Sequence, residues 1–219
     1  NYATLGQFLS SHDQPGFLYQ FANNPTSVKR GKGMVAASLQ LTDKGIPVIY
    51  YGEELMRQDQ PYSFGTHSNR KDMKWSDYTE DELAMLEHYK RLLNIRKEYS
   101  KVFAKGERGP AIAGSDADKY LVFTRSYQGQ TLFVGLNTNN QKVENVTFAT
   151  GQAEGTVMKD LYSNTVYKVD ADGNVTISIP ASSEGGTAIL VAQEKSELPE
   201  RIRDGVILHA FDWNLDVIE

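Results

Sequence analysis

The chain contains no cysteine, which excludes a disulfide framework and any thiolate metal site. It has no Lys/Arg-rich run, and its formal net charge is −5. Both features count against a nucleic acid or an anionic membrane as the main partner. No apolar stretch approaches the roughly 20 residues that a membrane-spanning helix needs. Tryptophan is scarce, with two in 219 residues. The first residue is Asn1, with neither an initiator methionine nor a basic-then-apolar signal segment behind it, and the last residues, "DWNLDVIE", fall inside a patterned segment. These ends are what a piece of a longer polypeptide would have; a processed chain is the other reading.

What is present changes character along the chain. Ala3–Ser10 is a short apolar run closed by turn residues, a candidate buried strand. A helical pattern follows, with Met34, Ala37 or Ser38, and Leu41 on one face and Gly45 as its expected C-cap. Ile46–Gly52 is apolar on both faces and rich in β-branched and aromatic residues, as suits a covered parallel strand. Strand, helix and strand together make a βαβ unit. Thr79 and Glu82 then form a capping box that opens a second helix, with Leu83, Leu86, Tyr89 and Leu93 as its expected apolar stripe.

From about Lys101 the apolar period drops from 3.6 to 2. A series of short strands with turns at Gln128-Gly129 and at Asp172-Gly173-Asn174, the second expected to close a hairpin, predicts an antiparallel β-sandwich. "EKSELPERIRDG" is charged and lacks aromatics, as a linker does, and "VILHAFDW" begins another strand. The expected organisation is an α/β segment over 1–100, an all-β domain over 101–194, a linker over 195–205 and a new element over 206–219.

Polar residues gather where chemistry sits in α/β folds, at the C-terminal ends of parallel strands. His12 and Asp13 follow the first strand; Gly52, Glu53 and Glu54 follow the second. Ser-Ser-His-Asp-Gln-Pro-Gly is also dense in turn formers, so the His-Asp pair reads equally well as a turn that satisfies its own backbone. Glu53 and Glu54 suggest a carboxylate pair, but neighbouring residues on a strand point to opposite faces, which favours structural or rim roles. His67 and His88 have no metal-ligand spacing to another histidine and read as surface residues. "DADG" (170–173) lacks the rest of a calcium loop. Trp75 and Tyr62 suit either sugar stacking or loop packing.

Three ordered segments carry a resemblance. "FLSSHDQPGF" resembles the segment ending barrel strand seven in the α-amylase family of glycoside hydrolases, although Ser11 stands where asparagine is usual and Gly16 where some branches have arginine. "GIPVIYYGEE" is similar to the family's strand eight, and "NRKDMKW" to the Arg-x-x-Met-x-Trp of the following loop. The resemblance covers about residues 1–194. It implies the last two βα units of an incomplete (β/α)8 barrel followed by the family's sandwich domain. It also implies that Asp13 is the carboxylate that stabilises the oxocarbenium-like sugar, and that His12 hydrogen-bonds the same sugar.

The nucleophile and general acid of that family belong to strands four and five, which have no counterpart in this sequence. The implied substrate is an α-glucan (starch, glycogen or maltooligosaccharides), cleaved at α-1,4 bonds by the parent protein. The implied location is outside a bacterial cell. No cofactor or metal is expected within this chain; a structural calcium belongs to the parent, with ligands mainly upstream. The rival enzymatic readings are an amylopullulanase and an oligo-1,6-glucosidase. The rival from another class is a starch-binding module, which would need paired exposed aromatics on the sandwich. Tyr162 and Tyr167 are the one close tyrosine pair there. The tail resembles the first strand of a second amylase-type barrel and reads alternatively as an extra sandwich strand; a further expectation pairs it alongside Val48–Tyr51.

Overall fold

A computed structural model of the chain describes residues 5–58 and 69–193. The expected linker and tail, together with Tyr62 and His67, lie outside the described residues. Near the start, β1 (Gly6–Gln7) and β2 (Ile46–Pro47) pair in parallel on either side of α1 (Thr26–Thr42), which completes the expected βαβ unit. Both strands are much shorter than their apolar runs. Among the described residues each has one strand neighbour, so ladder bonds such as Val48 N–H to the Gln7 carbonyl (2.8 Å) hold one edge only. α1 secures the junction through the buried Gln40, whose Nε2 donates to the Gln7 carbonyl at 2.8 Å and the Val48 carbonyl at 3.1 Å.

α1 ends at Asp43 rather than at Gly45, which lies two residues further on with a φ of +111°. The helix carries glycines in its interior at a propensity cost of about 1 kcal/mol each. Close approach explains both. A Cβ on Gly31 would sit 2.7 Å from Ser182 Oγ, and one on Gly33 would sit 2.6 Å from Met85 Cε.

α2 (Glu80–Glu98) begins with the capping box read from the sequence: Thr79 Oγ1 accepts from Glu82 N–H, and the Glu82 carboxylate accepts from Thr79 N–H. Its buried face differs from the expected stripe. Met85, His88, Tyr89, Leu92 and Ile95 face inward, whereas Leu83 and Leu93 are exposed. Two interleaved sets of apolar residues share the helical period, and packing against α1 and the sheet selects one of them.

His88 corrects the surface reading most clearly. It is 2% exposed and joins three parts of the fold. Its Nε2 lies 2.8 Å from the Met34 carbonyl and 3.1 Å from Ser38 Oγ, both on α1, and its Nδ1 lies 2.6 Å from the Tyr162 hydroxyl on the sandwich. A carbonyl only accepts, so Nε2 carries the proton and Nδ1 accepts from Tyr162. Ser38 extends the network to Thr187 at 2.6 Å.

Burial lowers the His88 pKa to about 4. Between about pH 4 and 6.5 the unfolded chain therefore binds a proton that the folded chain excludes. The His88 contribution is complete above about 6.5 and declines by about 3 kcal/mol as the pH falls toward 4. Urea unfolding of the His88→Gln variant across pH 4–7 should show this acid-side slope removed; an unchanged slope would dismiss the assignment.

The helical region continues through α3 (Ser100–Lys105), past the expected change of period near Lys101. The strands are β3 (Glu107–Ser115), β4 (Tyr120–Tyr127), β5 (Gln130–Asn137), β6 (Val143–Ala149), β7 (Val157–Asp160), β8 (Val166–Lys168), β9 (Asn174–Ile179) and β10 (Thr187–Ala192). Six form one antiparallel sheet in the order β3-β4-β5-β10-β7-β8, and β6 pairs with β9 in a second. Gln128 and Gly129, both at positive φ, close the expected β4–β5 hairpin.

The turn at Asp172–Asn174 also forms, but it closes no hairpin: β8 and β9, on either side of it, belong to different sheets. The central sheet is covered on both faces. Val122, Phe133 and Leu190 pack toward Phe148, Val175 and Ile177 of the smaller sheet. Their neighbours Phe123, Leu132 and Ile189 pack toward Met34, Met85, Leu92 and Phe103 of the helices. This double burial explains why β5 and β10 read as continuous apolar runs rather than alternating ones.

Arg125 of β4 fixes the seam between helices and sheet. It is 0% exposed, and its Nη2 donates to the carbonyls of Phe103 (2.8 Å) and Gly106 (2.9 Å) while Nη1 meets Asp43 at 3.1 Å. Arg96 donates from α2 to the carbonyls of Leu41, Asp43 and Gly45. Both arginines therefore grip the connection that delivers the chain from α1 to β2.

Candidate functional site

β1 leads into a turn at the C-terminal end of the parallel pair, and this turn carries His12 and Asp13. Its base is pinned by Ser10, which is buried and whose Oγ accepts from Phe17 N–H at 3.0 Å; further along, Asp13 N–H donates to Ser11 Oγ at 3.2 Å. The two side chains project outward, His12 61% and Asp13 69% exposed, with His12 Nε2 3.0 Å from Asp13 Oδ2. The second oxygen, Asp13 Oδ1, is 3.2 Å from Arg70 Nη2. The outcome is an accessible carboxylate flanked by an imidazole and a guanidinium.

The loop after β2 supplies the support. Asn69 is fully buried and its Nδ2 donates to the His12 carbonyl. Tyr50 and Tyr51 donate their hydroxyls to the carbonyls of Asn69 and Lys71, each at 2.8 Å. Arg57 lies 4.2 Å from the Tyr51 ring centroid and donates to the Tyr51 carbonyl. The sequence pattern of Asn69–Trp75 assigns Asn69 and Arg70 no role. The available signal was their place in the third motif. Trp75 is 80% exposed, so it is not packed into the loop.

Glu53 and Glu54 are not strand residues. They occupy a 3-10 turn, Glu53–Leu55, entered through Gly52 at a φ of +91°, so turn geometry rather than pleating separates them. Glu54 accepts from Gly52 N–H at 2.9 Å and Glu53 accepts from Tyr50 N–H at 3.2 Å. Burial pushes Glu53 up to about 7, against the opposing pull of Ser10 and the Tyr50 backbone. Its Oε1 is buried without a hydrogen-bond partner, which accords with a carboxyl that holds its proton.

The sign is opposite to that of His88. The folded chain keeps a proton that the unfolded chain releases above its ordinary value of 4.5. This contribution is therefore complete below about 4.5 and lost, by about 3 kcal/mol, as the pH rises through about 7. Glu53→Gln should raise stability at pH 8 and leave it nearly unchanged at pH 4. Thermal unfolding at the two pH values checks this; a larger gain at pH 4 would refute the assignment.

A βαβ unit with polar residues on its strand-end rim, docked through two helices onto an antiparallel sandwich, defines the architecture. Residues 112–183 match the family described as Maltogenic Amylase, C-terminal domain. The chain is 27% identical to alpha-amylase 1 of Schizosaccharomyces pombe over 81% of its own length and 26% of that protein's. It is 25% identical to the amylopullulanase of Thermoanaerobacter thermohydrosulfuricus over 93% of its own length and 14% of the relative's. The alpha-amylase of Geobacillus thermoleovorans, solved in complex with acarbose, superposes with a TM-score of 0.71 at 19% identity, over 88% of this chain and 40% of that one. These matches support an α-amylase-family C-terminal region, and the chain spans about a quarter or less of the length of these curated relatives.

Proposed function

We propose that this chain completes the catalytic barrel of a retaining α-glucan hydrolase and carries its sandwich domain, with residues 1–100 as the last two βα units and 101–194 as the sandwich. The reaction is hydrolysis of α-1,4 bonds in starch, glycogen or maltooligosaccharides. The observation that carries this reading is the outward-facing, braced Asp13 beside His12 at the end of a parallel strand, in a chain matched to the C-terminal region of the α-amylase family. A carboxylate that accepts sugar hydroxyls strengthens those bonds as positive charge develops in the ring. Asp13 is therefore assigned as the transition-state stabiliser and His12 as a substrate-binding residue.

Among the described residues, the parallel pair has an open flank, as an incomplete barrel would. Leu5, Phe8, Ile46 and Val48 are exposed there. An apolar cleft of about 570 Å³ also runs beside α1, between Phe8, Leu9, Val35 and Leu39 and the sandwich residues Leu121 and Leu136. The binding-module reading loses its tyrosine pair, because Tyr162 is buried against His88. The amylopullulanase relative supports a second enzymatic reading, in which the parent also cleaves α-1,6 bonds.

A retaining glycosidase needs two carboxylates about 5 Å apart, and the proposed roles leave both outside this sequence. The purified 219-residue chain should therefore release no reducing sugar from soluble starch, whereas the intact parent should. Release by the chain above a heat-killed control would overturn the division of roles. Assays of the parent on pullulan alongside amylose distinguish the two bond preferences.

A further inference from the structure

We propose that Asn69 is the positioning residue of the His12–Asp13 turn, acting through the main chain rather than on the sugar; this rests on the assignment of Asp13 above. A fully buried carboxamide loses its hydration, and its Oδ1 finds no hydrogen-bond partner among the described residues. Such burial is unfavourable unless the remaining bond has a use. That bond runs from Nδ2 to the carbonyl of His12, the peptide that leads directly into Asp13.

The segment bearing Asn69 is itself held from the stretch that follows β2. The Tyr50 hydroxyl holds the Asn69 carbonyl and the Tyr51 hydroxyl holds the Lys71 carbonyl, while the Tyr50 amide is bonded to Glu53. A set of bonds therefore runs from Tyr50, in the stretch after β2, through Asn69 to the backbone of the turn after β1. The neighbouring Arg70 reaches Asp13 Oδ1 from the same segment. One loop thus constrains both the peptide preceding Asp13 and its carboxylate. Asp13 itself is 69% exposed, so little packing contributes to its orientation.

The test is a double-mutant cycle in the intact parent enzyme, assayed on a maltooligosaccharide. Asn69→Ala should lower kcat by about 10²-fold, the scale of a misplacement near 1 Å, with KM changed less than about threefold. Because Asn69 acts through Asp13, Asn69→Ala added to Asp13→Asn should cost little more than Asp13→Asn alone. Full additivity, or an unchanged kcat in Asn69→Ala, would overturn the proposal.

Should Asn69→Ala not fold, Tyr51→Phe loosens the same loop from a partly exposed hydroxyl. It is expected to lower kcat severalfold with the same non-additivity toward Asp13→Asn, and additivity there counts equally against the idea. If Asp13→Asn is itself harmless, the catalytic reading fails, and the proposal fails with it by a distinguishable route.

Discussion

Replacing Asp13 by Asn in the intact enzyme is expected to lower kcat by at least about 10²–10³-fold, the usual cost of losing one preorganised stabiliser of transition-state charge. The substitution keeps the shape but removes the negative charge and exchanges one acceptor oxygen for a donor amide. Folding should be almost unaffected. The side chain is largely exposed, and its contacts with His12 and Arg70 are surface pairs, which are worth about 1 kcal/mol or less. Steady-state kinetics together with a melting curve separate the two effects. A variant retaining more than about a tenth of the kcat would return the His-Asp pair to a simple turn.

Arg125→Met is expected to have the largest effect on stability, a loss of about 3–5 kcal/mol. The cause is not the loss of one ion pair. Asp43 is 28% exposed at its side chain and can regain water, but the carbonyls of Phe103 and Gly106 would lose a donor inside a closed seam. Each orphaned group costs about 1–3 kcal/mol. Arg125→Lys should recover part of the loss, since an ammonium cannot serve both carbonyls and Asp43 with the geometry of a guanidinium. Urea denaturation measures both variants; a loss below 1 kcal/mol for Arg125→Met would show that the seam does not depend on this residue.

Local chemistry in the sequence set the starts and turns of elements. The Thr79–Glu82 box and the Gln128-Gly129 turn appear where their residues require them, because each depends on neighbours within four positions. Faces and lengths depend on partners brought from elsewhere. The buried side of α2 follows from α1 and the sheet packing against it, and a lone histidine on a helix looks the same in sequence whether it meets water or Tyr162. Ile46–Gly52 has the composition of a long strand but pairs only at Ile46–Pro47, against a partner that is itself only Gly6–Gln7.

The site was legible in part for the same reason. His12 and Asp13 stand out because an apolar run ends beside them. Asn69 and Arg70, which brace them, are far away in sequence and reach them only through folding. Strand pleating would point Glu53 and Glu54 to opposite faces; a 3-10 turn makes Glu53 an inward carboxyl bonded to the Tyr50 amide.

Asp13 and His12 are expected to meet the same sugar ring. The most direct measurement is a crystal structure of the intact enzyme with acarbose bound at the strand-end rim. The Asp13 carboxylate should accept hydroxyls of one ring at about 2.5–3.0 Å, with the His12 imidazole on that ring and Asn69 still donating to the His12 carbonyl. Acarbose bound in a cleft remote from Asp13, with that carboxylate facing solvent, would contradict it.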